Sequence, residues 1–193
     1  MNLDKLVKNL TNLGYTVKTF ESVDEANVYL VDTIKNTTVG FGGSMTLQEM
    51  GLYELLSKNN EVFWHWEKGE LLKAAVADVY LSSVNGISED GEIINIDGTG
   101  NRVAATLYGH KKVYFVLGTN KIADDYDKAL YRARNIAAVK NAIRLEKNTP
   151  CTKTGKCMNC KSPDRICRGL TVLWQKPKGM EYEVIIIKKE LGY

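Results

Sequence analysis

Val39-Gly40-Phe41-Gly42-Gly43-Ser44-Met45-Thr46-Leu47-Gln48-Glu49-Met50-Gly51 is the stretch on which the fold turns. Apolar residues run into three glycines within four positions, then a hydroxyl, then apolar residues at helical spacing. That order predicts a strand, a tight turn and a helix start. Thr46 and Glu49 have the spacing of a capping box, in which each side chain satisfies a backbone N–H that the first helical turn leaves unpaired. Glycines let a ligand approach the backbone, and free N–H groups with the positive end of a helix dipole favour an anion. Gly42, Gly43, Ser44 and Thr46 are therefore candidate ligand-binding residues. The same pattern also arises where a helix packs close to a sheet, and the stretch alone leaves both readings open.

The flanking sequence extends this unit in both directions. Leu3, Leu6, Val7, Leu10 and Leu13 repeat at three- and four-residue spacing up to Gly14, which predicts a first helix. Tyr15 to Phe20 reads as a strand, and Ser22 with Glu25 as a second capping box before a helix carrying Ala26, Tyr29, Leu30 and Ile34. Downstream of the opening stretch, Leu47, Met50, Leu55 and Leu56 give a helix its inner face. Glu61 to Trp66 reads as a strand and Leu71 to Ala77 as a short helix. Such alternation predicts an α/β fold, mainly a parallel sheet flanked by crossover helices, as one domain over 1–193.

Asp78 to Ser83 reads as a buried strand, joined through the Ser88-Glu89-Asp90-Gly91 turn to Glu92 to Asp97 as a hairpin. A second glycine turn comes next, Asp97-Gly98-Thr99-Gly100-Asn101-Arg102, opening onto Val103, Ala104 and Ala105. All six of its residues are candidate ligand contacts, with Arg102 either a bidentate clamp for a carboxylate or phosphate, or a solvent-facing residue at a helix start. Lys112 to Leu117 is an apolar strand that ends in a third polar turn, Gly118-Thr119-Asn120-Lys121. Ligands of open α/β sheets bind beyond the carboxyl ends of the strands, so the turns are expected to share a crevice for a small anionic metabolite. A long helix then runs to Arg144, with Ala129, Leu130, Ala133, Ile136, Ala137 and Ile143 inward and Arg132, Arg134 and Arg144 in solvent. Leu170 to Trp174 and Glu183 to Ile187 read as closing strands.

Hydrophobic content of 44% and charged content of 25% are ordinary for a globular chain of 193 residues. A net charge of +3, with Lys and Arg scattered, does not predict a nucleic-acid partner. No apolar stretch approaches the roughly 20 residues of a membrane span, and the charged amphipathic start lacks a signal-peptide core. The expected setting is cytoplasmic, with reduced thiols. His65, between two tryptophans, and His110, in a turn, read as structural. No Ser/His/Asp order, metal-binding histidine pair or Walker lysine is present.

All four cysteines, Cys151, Cys157, Cys160 and Cys167, fall in one polar insertion, 149–169, with spacing C-x5-C-x2-C-x6-C. Few apolar residues accompany them, so something else must hold the segment, and a metal centre with four thiolates would do so. Only Cys157 and Cys160 form a tight pair, which departs from a zinc ribbon, and the bacterial ferredoxin spacing is not met. Redox thiols or idle cysteines are the other readings.

Gly40-Phe41-Gly42-Gly43-Ser44-Met45-Thr46-Leu47, Asn85-Gly86-Ile87 through Ala105, and Thr149-Pro150-Cys151 through Cys167 together resemble the LUD-domain family, the lactate utilization proteins related to lactate utilization protein C. The likeness runs from about Leu3 to Tyr193, and the cysteine insertion marks a sub-group of stand-alone members. It implies a fold like that of the ribose-5-phosphate isomerase, glucosamine-6-phosphate deaminase and CoA-transferase superfamily. Gly91 to Ala105 is also similar to the segment with which methylthioribose-1-phosphate isomerases line their sugar-phosphate site. The resemblance implies a subunit or accessory role in oxidising lactate to pyruvate, beside iron–sulfur protein subunits. An enzyme acting alone on a small phosphorylated or carboxylated metabolite is the alternative. It also tilts the expected cysteine centre towards [4Fe–4S], with zinc as the alternative. Two departures limit the carry-over: the ferredoxin-type motifs of lactate utilization protein B are absent, and no glutamate sits where a CoA-transferase nucleophile would.

Overall fold

Val113-Tyr114-Phe115-Val116-Leu117 and Tyr182-Glu183-Val184-Ile185-Ile186-Ile187 have almost no polar face to give to water, which suits strands covered on both sides. In the computed structural model, which describes residues 1–67 and 69–193, they lie side by side in the main sheet. The strands in chain order are β1 (Thr16–Phe20), β2 (Thr38–Phe41), β3 (Glu61–Trp64), β4 (Val79–Ser82), β5 (Gly86–Ser88), β6 (Ile93–Asp97), β7 (Lys112–Gly118), β8 (Ile122–Ala123), β9 (Gly169–Leu173) and β10 (Glu181–Ile187). The main sheet has the order β1-β10-β7-β4-β2-β3 and every pair in it is parallel. A smaller sheet, β8-β5-β6-β9, mixes one parallel pair with two antiparallel ones.

Alternation along the central strands divides the core. Val113, Phe115, Leu117, Tyr182, Val184 and Ile186 pack on one side with Leu6 and Leu10 of the first helix, Leu3–Asn12, and with Ile87 and Ile93 of the smaller sheet. Tyr114, Val116, Ile185 and Ile187 pack on the other with Leu30 of helix Val23–Thr33 and with Leu47, Leu52 and Leu56. Glu183 breaks the apolar run. It is 1% exposed, and it is held by Lys112 Nζ at 2.6 Å and by the Tyr29 hydroxyl, which donates to it at 2.6 Å.

Three expectations are corrected. The helix after β2 is two short ones, Met45–Glu49 and Leu52–Leu56, separated at Gly51 in the left-handed region (φ 64°), and Leu52 rather than Leu55 is buried. The strand Asp78 to Ser83 enters the main sheet between β2 and β7, and the hairpin is formed instead by β5 and β6. The long helix is interrupted: Tyr126–Arg132 and Ala138–Arg144 flank a π-helical segment, Ala133–Ala137. A π-bulge adds a residue to a turn and rotates the helical face beyond it. Hence Val139 and Ala142 are buried, whereas Ile136 and Ile143 are 39% and 51% exposed.

Candidate binding cleft at the strand ends

β7, β4 and β2 are neighbours, so the segments leaving their carboxyl ends meet. A 3-10 turn, Thr119–Lys121, folds the chain back after β7. Lys121 Nζ then reaches across to donate to Ser83 Oγ, just beyond β4, at 2.9 Å and to Thr46 Oγ1, beyond β2, at 2.8 Å. The side chain is 2% exposed, and among the described residues no carboxylate lies within ion-pair distance of it. Burial above all, with Arg132 and Arg102 adding to it and Glu49 opposing them, pushes its pKa from 10.5 down to about 7. Near neutrality this amine is shared between its charged and neutral forms, so it can hold an anion, take up a proton or attack a carbonyl.

Two buried arginines lie near Lys121: Arg102, which also lines the cleft described below, and Arg132, which lies outside its lining. Arg102 is 8% exposed, and burial lowers its pKa. Its guanidinium donates to Asn95 Oδ1 at 2.8 Å, Asn85 Oδ1 at 3.1 Å and the Ile96 carbonyl at 2.7 Å. It is therefore neither the solvent-facing residue nor the free clamp of the sequence reading: most of its donors are spent on joining β6 to the end of β4. Arg132, expected in solvent, is 7% exposed; it donates to the carbonyls of Asn120 and Asn85, and burial lowers its pKa to about 10. Helical spacing gives the reason, since position 132 shares the inward face of Ala129 and Ala133.

Over Lys121 and Arg102 lies a cleft of about 330 Å³, open to solvent. Both glycine turns contribute to it, through Gly43 and Ser44 on one side and Asp97, Gly98, Thr99, Asn101 and Arg102 on the other. Gly42, Thr46 and Gly100 support it from outside the lining. His65 and Trp66, and Arg144 with its guanidinium 5.0 Å from the Trp66 ring centre, stand at the walls, together with Tyr193. His65 is half-buried; desolvation lowers its pKa, and its Nδ1 has no hydrogen-bond partner. His110 lies elsewhere, with Nδ1 2.6 Å from the Ala77 carbonyl, as a structural histidine.

The first glycine turn differs from the capping-box expectation. The cap of helix Met45–Glu49 is Ser44, whose Oγ accepts from Leu47 N, so the capping box at Thr46 and Glu49 does not form. Thr46 instead donates to the Leu191 carbonyl and Glu49 accepts from Gly192 N, which fixes the C-terminal tail against this helix. A Cβ on Gly42 would lie 2.8 Å from Arg102 Cγ, one on Gly43 3.1 Å from the Trp66 ring, and one on Gly98 2.8 Å from the Ile166 carbonyl oxygen. These glycines make room for neighbouring protein atoms. At the second turn, Asp97 Oδ2 already accepts from the N–H groups of Arg102 and Val103, so the start of helix Asn101–Ala105 is occupied by an internal carboxylate. With the donors of Arg102 mostly spent, the remaining positive charge of the cleft is at Lys121 on its floor and Arg144 at its wall.

The cysteine segment forms the remaining wall through Ile166 and Cys167. All four thiols are free and half-buried. Among the described residues no group of three His, Cys, Asp or Glu side chains is gathered to hold a metal ion. Arg134, expected in solvent, points Nη2 at Cys157 Sγ across 3.7 Å.

The fold is α/β, a parallel sheet flanked by helices, with an open cleft at the ends of adjacent strands. The chain belongs to the LUD domain family, whose model matches residues 3–187. It is similar to the crystal structure of a DUF162 family protein from Deinococcus radiodurans, with a TM-score of 0.57 and 13% identity over 96% of this chain and 95% of that one. A more distant likeness, to eIF2B beta from Chaetomium thermophilum, has a TM-score of 0.33 and 13% identity over 65% of this chain and 40% of that one, too low to carry any argument. No curated protein matches the chain in sequence. No described helix is long and apolar enough to cross a membrane.

Proposed function

We propose that the cleft binds a small carboxylate or phosphate metabolite, with Lys121 as the group that engages the anion. The observation that carries this is a buried lysine that, among the described residues, has no carboxylate partner, at the floor of an open cleft that the buried Arg102 also lines. Leaving an ammonium in that position costs stability, and an arriving anion relieves the cost. A volume of about 330 Å³ suits a small metabolite rather than a dinucleotide. Lactate, pyruvate and phosphate are the first compounds to test by thermal shift. A ligand at about 100 times its Kd adds about 2.7 kcal/mol of stability. Wild-type protein should gain stability with at least one of the three and the Lys121→Met variant with none; equal gains in both would reject the assignment.

A second reading is favoured by the thiol wall. In it the chain is a subunit or accessory of lactate oxidation to pyruvate and works beside iron–sulfur protein partners, with Cys167 placing sulfur chemistry at the cleft. Co-purification of tagged protein with iron–sulfur subunits supports this reading. Turnover of a small metabolite by the isolated chain would support the stand-alone enzyme instead.

A further inference from the structure

Cys151, Cys157, Cys160 and Cys167 line one small cavity of about 20 Å³ between the cysteine segment and the helical face that carries Ala138 and Ala142. No residue from 150 to 168 is buried, so the segment has no apolar core of its own. Its short helix, Pro150–Thr154, ends at Gly155 (φ 68°), and the turn between Cys157 and Cys160 places Asn159 at φ 47°, so the backbone twice enters a left-handed conformation to bring the thiols to one side. Groups around the sulfurs fix the ligand loops. Arg165 donates to the carbonyls of Cys160 and Cys167, both at 2.7 Å. Asn135 Oδ1 accepts from Cys157 N at 3.1 Å, and Thr149 Oγ1 lies 3.2 Å from Cys151 Sγ. Arg134 and Asn135 come from the π-helical segment, a local distortion that costs regular helix geometry.

We propose that these four cysteines hold a single thiolate-ligated metal centre, an iron–sulfur cluster or zinc, and that this centre fixes one wall of the cleft. Four thiolates around Zn²⁺ or around an oxidised [4Fe–4S] core leave two negative charges, which Arg134 and Arg165, both at the cavity, offset. The thiols surround the void rather than meeting at a point, and metal binding draws such loops together with the energy of its bonds. A void of about 20 Å³ is nearer the size of a single ion than of a cluster. The link to the wall is covalent continuity. Ile166 and Cys167 line both the thiol cavity and the cleft, and Arg168 N donates to the Asp97 carbonyl at 2.9 Å, directly before the glycine turn at Gly98.

The full chain, purified without oxygen, is assayed for iron, sulfide and zinc, and its backbone hydrogen exchange is compared with that of the chelator-stripped form. The expected result is one centre per chain, lost in each of four single Cys→Ser variants. A brown protein bleached by dithionite identifies a cluster, and a colourless one with about one zinc identifies the ion. Exchange at 97–103 and 149–168 should slow at least about tenfold on loading, with the β7 and β10 amides unchanged. Metal-free protein with four titratable thiols would overturn the centre. Metal retained by Cys151→Ser and Cys167→Ser would reduce it to the tight pair, against the proposal. Loading without protection at 97–103 would overturn the link to the cleft. None of these readouts depends on an anion binding at Lys121.

Discussion

Replacing Lys121 with methionine keeps the length of the side chain and removes the buried ammonium, so its effect on stability must change with pH. Below about pH 7 the lysine is protonated in both folded and unfolded chains, and the folded state carries the whole cost of burying the charge. Between about 7 and 10.5 the unfolded chain keeps the proton and the folded chain releases it, so wild-type stability rises with pH through that window. A fall from 10.5 to about 7 corresponds to about 5 kcal/mol at its low-pH limit. Against this, methionine forfeits the hydrogen bonds to Thr46 and Ser83, about 1 kcal/mol each. Lys121→Met should therefore be more stable than wild type by about 3 kcal/mol at about pH 6, and less stable by about 1 kcal/mol near pH 10. Urea melts at several pH values measure this through the midpoint, at unchanged m-value. A stability difference that stays flat between those pH values would refute a buried, depressed lysine.

Other substitutions probe the surroundings. Gly98→Ala places a Cβ 2.8 Å from the Ile166 carbonyl oxygen; urea melts should show a loss of about 1–3 kcal/mol, with faster hydrogen exchange across 165–168. Arg102→Met removes a donor from Asn85, Asn95 and the Ile96 carbonyl, while each asparagine oxygen keeps a backbone N–H partner, and denaturation should register a loss of about 1–3 kcal/mol. Lys112→Met leaves Glu183 buried with, among the described residues, only the Tyr29 hydroxyl, and urea melts should show a cost of about 3–5 kcal/mol. Gly43→Val presses on Trp66 at the mouth of the cleft, and calorimetry should show anion affinity at least about tenfold weaker with a smaller loss of stability.

The sheet was legible because its strands are short apolar runs between helical repeats, and the two glycine turns were legible because local chemistry marks a strand-to-helix turn. Their contacts were less so. Gly42, Gly43 and Gly98 are small for the sake of Arg102, Trp66 and Ile166, residues distant in sequence. Lys121 reads as one more polar turn residue, and its burial depends on β2, β4 and β7 being neighbours, which no window of sequence encodes. Arg132 had a usable signal, its three-residue spacing from Ala129, set against the usual exposure of arginine on a helix. Ile136 and Ile143 fell outside the core because a π-bulge shifts the helical period, and nothing in the spacing of alanines announces it.

The most direct test of the binding site counts protons. Lactate stays fully ionised near neutrality, so when it is titrated into the protein at about pH 8, in buffers of different ionisation enthalpy, any proton exchanged belongs to the protein. An anion held by Lys121 stabilises the ammonium form, and the pKa rises from about 7 towards its ordinary value. The account predicts uptake of close to one proton per lactate bound, abolished in Lys121→Met. Binding with no proton uptake, or uptake that survives the substitution, would contradict it.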